Sequence, residues 1–325
     1  MPQETTKLIE QIFDPNMDFE ATALKVFRFQ ADNNPVYREF LDLIKCDSSC
    51  VCSIKEIPFL PIELFKSHKV LIGDSDPEII FESSGTTGSI PSRHYVKDLS
   101  IYEKSIEKGF EQFFGSISDY QFFPLLPAYL ERQGSSLIYM VQKFMEWSGQ
   151  EPKFYLYEHE ELIADLKKSN KKPFLIGVSF ALLDLCETVN EPLGSALVME
   201  TGGMKGRRRE MIREELHSSI KNGLGIENVM SEYGMTELLS QAYSKKAGIF
   251  NCPSWMSVVI KDLYDPGRTE SAGKTGLINV IDLANIYSCS FIATSDLGKQ
   301  YSDGSFEVLG RVDNSDIRGC NLLVV

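Results

Sequence analysis

The sequence of 325 residues lacks a long uninterrupted apolar run. No run reaches the roughly 18 residues that a helix needs to cross a bilayer. Residues 1–5 also lack the basic region and apolar core of a secretion signal. The seven cysteines, an odd number without such a signal, favour free thiols in a reducing compartment. These absences predict a soluble, cytoplasmic protein with no membrane span.

Basic residues are scarce as well. The chain has 33 Lys and Arg against 46 Asp and Glu, which gives a formal net charge of −13 at pH 7. The only arginine run, 207–209, is soon followed by three glutamates. Binding to nucleic acid phosphates needs a concentrated basic surface. We therefore predict no nucleic-acid partner.

A complete set of zinc ligands is also missing. Cys46, Cys50 and Cys52 are close in sequence, but no nearby histidine or second cysteine pair completes a tetrahedral set. We therefore favour free thiols over zinc at this cluster.

What the chain does contain is enough apolar material for a large core, since 43% of its residues are hydrophobic. Residues 1–75 have apolar residues at helical spacing, which predicts a helical cap. Beyond them, short apolar runs alternate with amphipathic charged runs. These predict strands at 77–82, 173–178, 195–199 and 277–282 and helices at 101–114, 135–147 and 207–221. Such alternation indicates an α/β fold with a layered sheet.

The first candidate site is a run of hydroxyl and glycine residues after the apolar residues 79–81. It comprises Ser83, Ser84, Gly85, Thr86, Thr87, Gly88 and Ser89. Glycines let successive backbone N–H groups turn toward an anion, and the hydroxyls add further donors. No Gly-Lys-Ser/Thr follows, so the segment is not a Walker A loop. It predicts a flexible phosphate-binding loop, with a plain surface turn as the alternative.

Three later segments also place polar residues and glycine directly after an apolar run. They are Glu-Thr-Gly-Gly-Met-Lys-Gly at 200–206, Ser-Glu-Tyr-Gly-Met-Thr-Glu at 231–237 and Thr-Ser-Asp-Leu-Gly at 294–298. Open α/β sheets bind ligands beyond the carboxyl ends of their strands. We therefore expect these segments to contribute to a ligand site.

In this order, and followed by Gly-Arg-Val-Asp at 310–313, the segments resemble the core motifs of the adenylate-forming superfamily of acyl-CoA synthetases, adenylation domains and firefly-type luciferases. The resemblance covers about residues 80–313. The acyl-protein synthetases of the LuxE type are more similar still. They share features resembling Pro-Phe-Leu-Pro at 58–61, Leu-Glu-Arg at 130–132, Ser-Ser-Leu at 135–137 and Arg-Gly-Cys at 318–320.

The resemblance implies a layered α/β adenylate-forming large domain over residues 1–310. Residues 1–75 would be its helical cap and residues 311–325 a short tail. Only 14 residues follow Arg311, so the family's carboxy-terminal lid domain would be absent, along with its catalytic lysine. The first loop also lacks the lysine usual in the family. Arg93, Lys205 and Arg207 are candidate substitutes.

By the same resemblance, the chain would use ATP and Mg²⁺ to convert a carboxylic acid, with a fatty acid favoured, into an acyl-AMP. Glu237 would hold Mg²⁺ and Thr236 would contact the α-phosphate. The other nucleotide-binding residues would be Ser83, Ser84, Gly85, Thr86, Thr87 and Gly88 at the phosphates, Gly202, Gly203, Tyr233 and Gly234 near adenine, Asp296 at the ribose hydroxyls, and Arg311.

Each of these roles has a structural alternative. Glu237 could belong to the first turn of a helix that continues through residues 238–240, where an acidic residue complements the helix dipole. Asp296 could be a turn aspartate ahead of Gly298. Arg311 could form a surface ion pair.

Cys320 is the candidate acyl carrier. In the LuxE-type enzymes a cysteine near the carboxyl end accepts the acyl group as a thioester and passes it to a partner such as a reductase; a carrier protein is another possible acceptor. A thiolate is the competent nucleophile. The alternative is a small residue with no catalytic duty. Two rival functions remain: an acyl- or aryl-CoA ligase with an external thiol acceptor, and an inactive nucleotide- or acyl-binding module.

The acid-binding region is less defined. Residues 122–127, with Tyr129, Leu137, Met140 and Met145, could line an acyl pocket or simply pack in the core. His94, close after the first loop, could contact phosphate, and we favour packing for it.

Overall fold

The computed structural model describes residues 2–84, 90–126, 134–189, 191–202, 208–209 and 211–312, with side chains from Thr5 onward. Its α-helices are α1 Pro2–Ile12, α2 Phe19–Asn33, α3 Pro35–Leu43, α4 Leu64–Ser67, α5 Leu99–Phe114, α6 Ser136–Trp147, α7 His159–Lys167, α8 Ser179–Cys186 and α9 Arg213–Leu224. Its strands are β1 Leu60–Pro61, β2 Ile79–Glu82, β3 Arg93–Val96, β4 Tyr120–Leu125, β5 Lys172–Gly177, β6 Leu197–Glu200, β7 Val229–Tyr233, β8 Ala242–Ser244, β9 Ile249–Phe250, β10 Met256–Lys261, β11 Thr275–Asp282, β12 Phe291–Gln300 and β13 Phe306–Arg311.

The chain divides into two compact units. The first unit comprises Met1–Glu78, Ser92–Lys97 and Ser254–Val325, and the second comprises Ile79–Pro91 and Asp98–Pro253. The predicted cap, residues 1–75, thus belongs to the same unit as β10 to β13. The predicted boundary between a domain of residues 1–310 and a tail of residues 311–325 stays a prediction.

The second unit is built on a sheet with the strand order β4-β5-β6-β7-β8. Strands β4 to β7 are parallel and β8 is antiparallel to β7. Parallel strands covered on both faces are expected to be apolar throughout, and β4 and β5 are buried over most of their lengths. Aromatic side chains in edge-to-face and tilted contact form the core between this sheet and helices α5 and α6. Phe110 packs against Phe122, Phe144 and Phe174, and Phe144 also packs against Phe122.

The first unit is built on the antiparallel strands β10 to β13, with β1 parallel to β12. Helix α2 is fixed to this sheet by a buried amide. Gln30 Nε2 donates to the carbonyl oxygens of Asn285 and Ile286 at 3.0 and 2.9 Å, and its Oε1 accepts from the Ser290 N–H at 2.9 Å. These bonds satisfy backbone groups that burial would otherwise leave unpaired.

The α/β fold class is confirmed, and most of the predicted elements are present. Helices α5 and α6 match the predicted 101–114 and 135–147, and β5, β6 and β11 overlap the predicted strands. The helix predicted at 207–221 was placed too early, because α9 begins at Arg213. None of the helices in the described ranges combines the length and the apolar character needed to cross a membrane.

One predicted boundary was wrong. The sequence analysis placed residues 294–298 after an apolar run, beyond the carboxyl end of a strand. Instead, β12 runs through Gln300 and pairs with β11 on one side and β13 on the other. The hydroxyl of Thr294 donates to the Ile278 carbonyl at 2.7 Å and its oxygen accepts from the Asp296 N–H at 3.1 Å. This local bonding lets polar residues continue the strand, and a turn is not needed.

Candidate active site

Polar groups gather at the carboxyl ends of β6 and β7 in the second unit. These strands are neighbours, and Glu200, the last residue of β6, lies opposite Ser231 of β7. Gly202 follows β6, and Gly234, Thr236 and Glu237 follow β7. The sheet therefore brings two of the predicted segments to one edge, where open α/β sheets bind ligands.

Glu200 is the electrostatic centre of this edge. Its side chain is buried, and Arg213 Nη1 of α9 donates to its Oε1 at 2.6 Å. Its Oε2 accepts from the Gly202 N–H at 2.8 Å and from Ser179 Oγ at 3.2 Å. The carboxylate thus joins β6, α8, α9 and the segment after β6.

These contacts keep Glu200 ionised. Burial raises the pKa of the carboxyl group, but the hydrogen bond from His217, the charge of Arg213 and further bonds from Ser231 and the Gly202 N–H outweigh it and lower the pKa to about 2. His217 Nε2 also lies 3.2 Å from Ser231 Oγ, which ties α9 to β7. Among the effects that lower this pKa, hydrogen bonding to the charged form from His217 is the largest.

Gly202 is held in a left-handed conformation by this network. Its φ is +48°, and its N–H is bonded to Glu200. Glycine adopts this conformation without the steric cost that other residues bear. The predicted glycine segment therefore begins with a backbone that turns back toward the end of its own strand.

The segment after β7 places the other predicted residues. Tyr233 ends the strand with a buried ring, whose centroid lies 5.9 Å from that of Phe250. Gly234 is exposed, Thr236 is half-buried and Glu237 is buried. Residues 236–237 form a turn rather than the start of a helix. The alternative that made Glu237 part of a first helical turn was therefore wrong.

The sequence analysis assigned no role to a second carboxyl group at this edge, that of Glu232 on β7. Burial raises the pKa of Glu232 to about 8, and the negative charge of Glu200 adds to the rise. The residue keeps some solvent-accessible surface although protein atoms crowd its carboxyl group. The signal available in the sequence was a glutamate at or next to the end of each of two apolar runs, Glu200 and Glu232.

Asp296 and Arg311 lie together in the first unit, on β12 and β13. They are opposite each other in the register of these strands, and Arg311 Nε donates to Asp296 Oδ1 at 2.9 Å. The Arg311 side chain is 61% exposed and that of Asp296 is 10% exposed. The structure thus has the surface ion pair that was the alternative for Arg311, and their nucleotide roles stay predictions.

Several predicted residues cannot be placed. Ser83 and Ser84 directly follow β2, as predicted. Gly85, Thr86, Thr87, Gly88, Gly203 and Cys320 lie outside the described residues, as do Ser89, Lys205 and Arg207 among the further candidates. Arg93 is exposed on β3.

Other side chains considered for the acid or phosphate are packed. His94 is buried in the first unit, where Nε2 lies 2.9 Å from Asn285 Oδ1 and its ring meets Phe65 edge-on. Phe122, Met140 and Met145 are buried within the second unit. These contacts are those of core residues, as the structural alternative predicted.

A groove in the described structure lies away from this edge. It has a volume of about 510 Å³ and lies along β4, toward the amino ends of β4 and β5, with Lys153, Asp165 and Lys171 among its lining residues. Lys153 is already paired with Glu161 and Asp165. Among the described side chains, no three His, Cys, Asp or Glu residues cluster as a metal-binding group.

No protein-family model and no curated protein sequence matches this chain. Solved structures do match it. The crystal structure of ATP-bound MatB from Rhodopseudomonas palustris is 16% identical over 74% of this chain and 49% of that chain, with a TM-score of 0.54. The luciferase-like enzyme of the Zophobas morio mealworm is 16% identical over 75% of this chain and 60% of that chain, with a TM-score of 0.54.

A 2-hydroxyisobutyryl-CoA ligase is matched over more of the chain. Its structure in the postadenylation state, in complex with 2-HIB-AMP, is 12% identical over 96% of this chain and 69% of that chain, with a TM-score of 0.68. The chain spans about half the length of MatB and of the MatB chimeras it matches. At these identities the comparisons show a shared fold: this chain has the α/β fold of the adenylate-forming ligases.

Proposed function

We propose that this chain activates a carboxylic acid with ATP, forming an acyl-adenylate and releasing pyrophosphate. The observation that carries the proposal is the position of the Tyr-Gly-Met-Thr-Glu segment, 233–237. It directly follows β7 at the carboxyl edge of a parallel sheet, beside the segment that follows β6. The shared fold supports it, since the matched structures include ATP-bound MatB and a 2-hydroxyisobutyryl-CoA ligase bound to 2-HIB-AMP.

Activation needs the acid and the α-phosphate in line, with donors around the phosphates. Under the proposal, Ser83 to Gly88 and Thr236 donate hydrogen bonds to the phosphates, and Tyr233, Gly202, Gly203 and Gly234 surround the adenine. Asp296 and Arg311 belong to the proposal as ribose and phosphate contacts. The acid oxygen attacks the α-phosphorus and the bond to the pyrophosphate oxygen breaks.

Glu237 would hold Mg²⁺ in this scheme. Its side chain is buried in the turn after β7, and a carboxylate is the ligand type that this hard ion prefers. Bound Mg²⁺ would neutralise charge on the phosphates. A single protein carboxylate suffices, because Mg²⁺ usually keeps several waters and phosphate oxygens as ligands.

The first test is ATP–pyrophosphate exchange with a panel of medium- and long-chain fatty acids and aryl acids. We expect Glu237→Gln and Thr236→Val each to lower exchange by about 100-fold, the usual loss when one charge-stabilising group is removed. Glu227→Gln is the matched control, because Glu227 is exposed in the loop before β7. ATP binding without exchange for any acid would favour the inactive binding module instead.

The second step of the proposal is transfer of the acyl group from AMP to the Cys320 thiol, and from there to a protein acceptor such as a reductase or carrier protein. The thiolate attacks the acyl carbon, a thioester forms and AMP leaves. The ending Arg-Gly-Cys at 318–320 supports this choice. A fatty acid is the favoured substrate of the first step.

An external thiol is the second candidate acceptor. It is favoured by the ligase structure with 2-HIB-AMP and CoA in the thioesterification state, which is 13% identical to this chain with a TM-score of 0.68. Intact mass after incubation with MgATP and acid separates the two. A hydroxylamine-sensitive adduct that Cys320→Ala lacks supports self-acylation. Full turnover of Cys320→Ala with CoA, without any adduct on the wild-type chain, supports the external acceptor.

A further inference from the structure

The Glu232 side chain points to the face of the second unit's sheet that α5 covers. Glu232 of β7 lies directly opposite Tyr243 of β8, and opposite residues of an antiparallel pair share a face. The Tyr243 ring packs against Phe113 and Phe114 of α5, with centroid distances of 5.4 and 5.3 Å. The carboxyl group is therefore located between the sheet and α5.

Two polar groups on this face have no hydrogen-bond partner within the described part of the chain. The hydroxyl of Tyr243 is one, although the residue is only 1% exposed. The Glu232 carboxyl group is the other among the residues that the structure describes, and this residue is half-buried. Buried polar groups are normally paired, because removing them from water unpaired is unfavourable.

The groups are close enough to affect one another's ionisation. Burial raises the pKa of Tyr243 well above its ordinary value, and the charges of Glu232 and Tyr102 raise it further. Burial also raises the pKa of Tyr102 of α5, and the charge of Glu232 raises it further. The Tyr102 hydroxyl donates to the Ser136 carbonyl at 3.0 Å. With its own pKa near 8, Glu232 is mostly protonated at neutral pH and can both donate and accept.

The carboxyl group also borders the segment assigned to adenylation. A Cβ atom added to Gly234 would collide with Glu232 Oε1, so this oxygen lies directly over the glycine. Thr236 and Glu237 follow within the same segment. A molecule held by Glu232 would therefore be next to the residues that the proposed function uses.

We propose that Glu232 and Tyr243 form a specificity site for the acid substrate, which binds a hydroxyl or amino group carried on its chain. The inference rests on the proposed function and narrows its substrate class. The activated acid would be a substituted one, in which a polar group satisfies the carboxyl group and the Tyr243 hydroxyl. An unsubstituted hydrocarbon chain would leave the buried Tyr243 hydroxyl and the half-buried Glu232 carboxyl group unpaired.

The test compares acids of equal chain length in ATP–pyrophosphate exchange: unsubstituted, hydroxylated and aminated. We expect the wild-type chain to favour one substituted series by about tenfold or more in kcat/KM, because sites built around hydrogen bonds discriminate strongly against analogues that lack the group. Glu232→Leu should abolish the preference by raising KM for the substituted acid alone. Glu227→Gln, in the exposed loop before β7, should keep it.

Two further variants separate the chemistries and guard against misfolding. Glu232→Gln keeps a neutral donor and acceptor, so it should retain a preference for a hydroxyl but lose one for an ammonium group, which needs the carboxylate. Tyr243→Phe removes only a hydroxyl without a described partner, so it should fold normally and reduce the preference.

The outcomes distinguish this inference from the proposed function. Absence of exchange with every acid, in the presence of ATP binding, contradicts the proposed function. Exchange in which unsubstituted acids equal or exceed their substituted analogues overturns the specificity site. The specificity site is also overturned if both Glu232→Leu and Tyr243→Phe keep the wild-type ratio of kcat/KM for substituted over unsubstituted acids, since the two groups would then bind solvent only.

Discussion

Glu200 shows how one buried side chain can organise the end of a sheet. Its carboxylate is bonded by Arg213 and approached by His217, which lie four residues apart on one face of α9. It also accepts from the backbone of Gly202. An ionised group in this position costs desolvation free energy, and only its several partners make that burial tolerable.

Replacing Glu200 with Gln should destabilise the chain by about 3 kcal/mol, because breaking a buried ion pair leaves the partner charge uncompensated. Urea unfolding at pH 7 measures the change. Glu227→Gln, at an exposed position in the same unit, should change the free energy of unfolding by less than about 0.5 kcal/mol.

The loss should depend on pH. The folded pKa of Glu200 is about 2, below its ordinary value of 4.5. The unfolded chain therefore binds the proton more readily, and the stabilisation is fully present above pH 4.5 and is lost as pH falls toward 2. The difference between wild type and Glu200→Gln should shrink over this interval. A constant difference would mean that shape, rather than charge, causes the loss.

The sequence could predict the segments of the site but not this network. Tyr233, Gly234 and Glu237 stand in a recognisable order, whereas the bond between Glu200 and Arg213 joins residues on different elements. The Arg213 and His217 spacing marks one helix face, but nothing local says which strand that face meets. Pairing of this kind is decided by tertiary packing.

Among the elements, β4 shows how an edge strand is closed. The side-chain amide of Gln150 takes the place of a neighbouring strand: its Oε1 accepts from the Phe122 N–H at 2.7 Å and its Nε2 donates to the Phe122 carbonyl at 3.2 Å. Further along, the Tyr155 N–H donates to the Pro124 carbonyl at 2.9 Å. Covered in this way, the edge offers fewer free groups to another chain.

Gln150→Ala should therefore lower the free energy of unfolding by about 2 kcal/mol, since it leaves a buried backbone N–H and carbonyl unpaired. Urea unfolding gives the energy, and hydrogen exchange should show faster exchange of the Phe122 amide. Gln142→Ala is the control, because Gln142 makes only an exposed bond to Glu146 at 2.9 Å. Equal exchange in both variants would show that Gln150 does not protect this edge.

Prediction of the elements from the sequence succeeded where one local signal was enough. The amphipathic pattern gave α5 and α6, and short apolar runs gave β5 and β6. It failed at β12, where residues 294–298 were placed after the strand and a turn was the structural alternative for Asp296. Their polar side chains suit a turn locally, but strand pairing on both sides overrides that preference.

At the level of the whole molecule, the order of segments matters because neither unit is continuous in sequence. The first unit takes its helices from the amino-terminal part and its antiparallel sheet from residues after Pro253. Gln30 and Asn34 bond to carbonyls of residues 285–288. The helices of residues 1–43 therefore depend on a partner more than 200 residues away along the chain.

A fragment of residues 79–253 should fold, because it contains the whole second unit and only six residues, 92–97, of the first. It keeps the five strands β4 to β8 and the aromatic core around Phe110 and Phe174. Circular dichroism should show helix and strand, with one cooperative urea transition.

A fragment of residues 1–253 should fold its second unit equally well but lose α1 to α3 to limited proteolysis, since β12 and the carbonyls that bind Gln30 are missing. Protection of those helices in the shorter chain, or a non-cooperative transition of 79–253, would contradict the division into two units. Glu200→Gln gives the internal control: its loss of stability should be the same in the fragment and in the full chain, because every partner of Glu200 named above lies between Ser179 and Ser231.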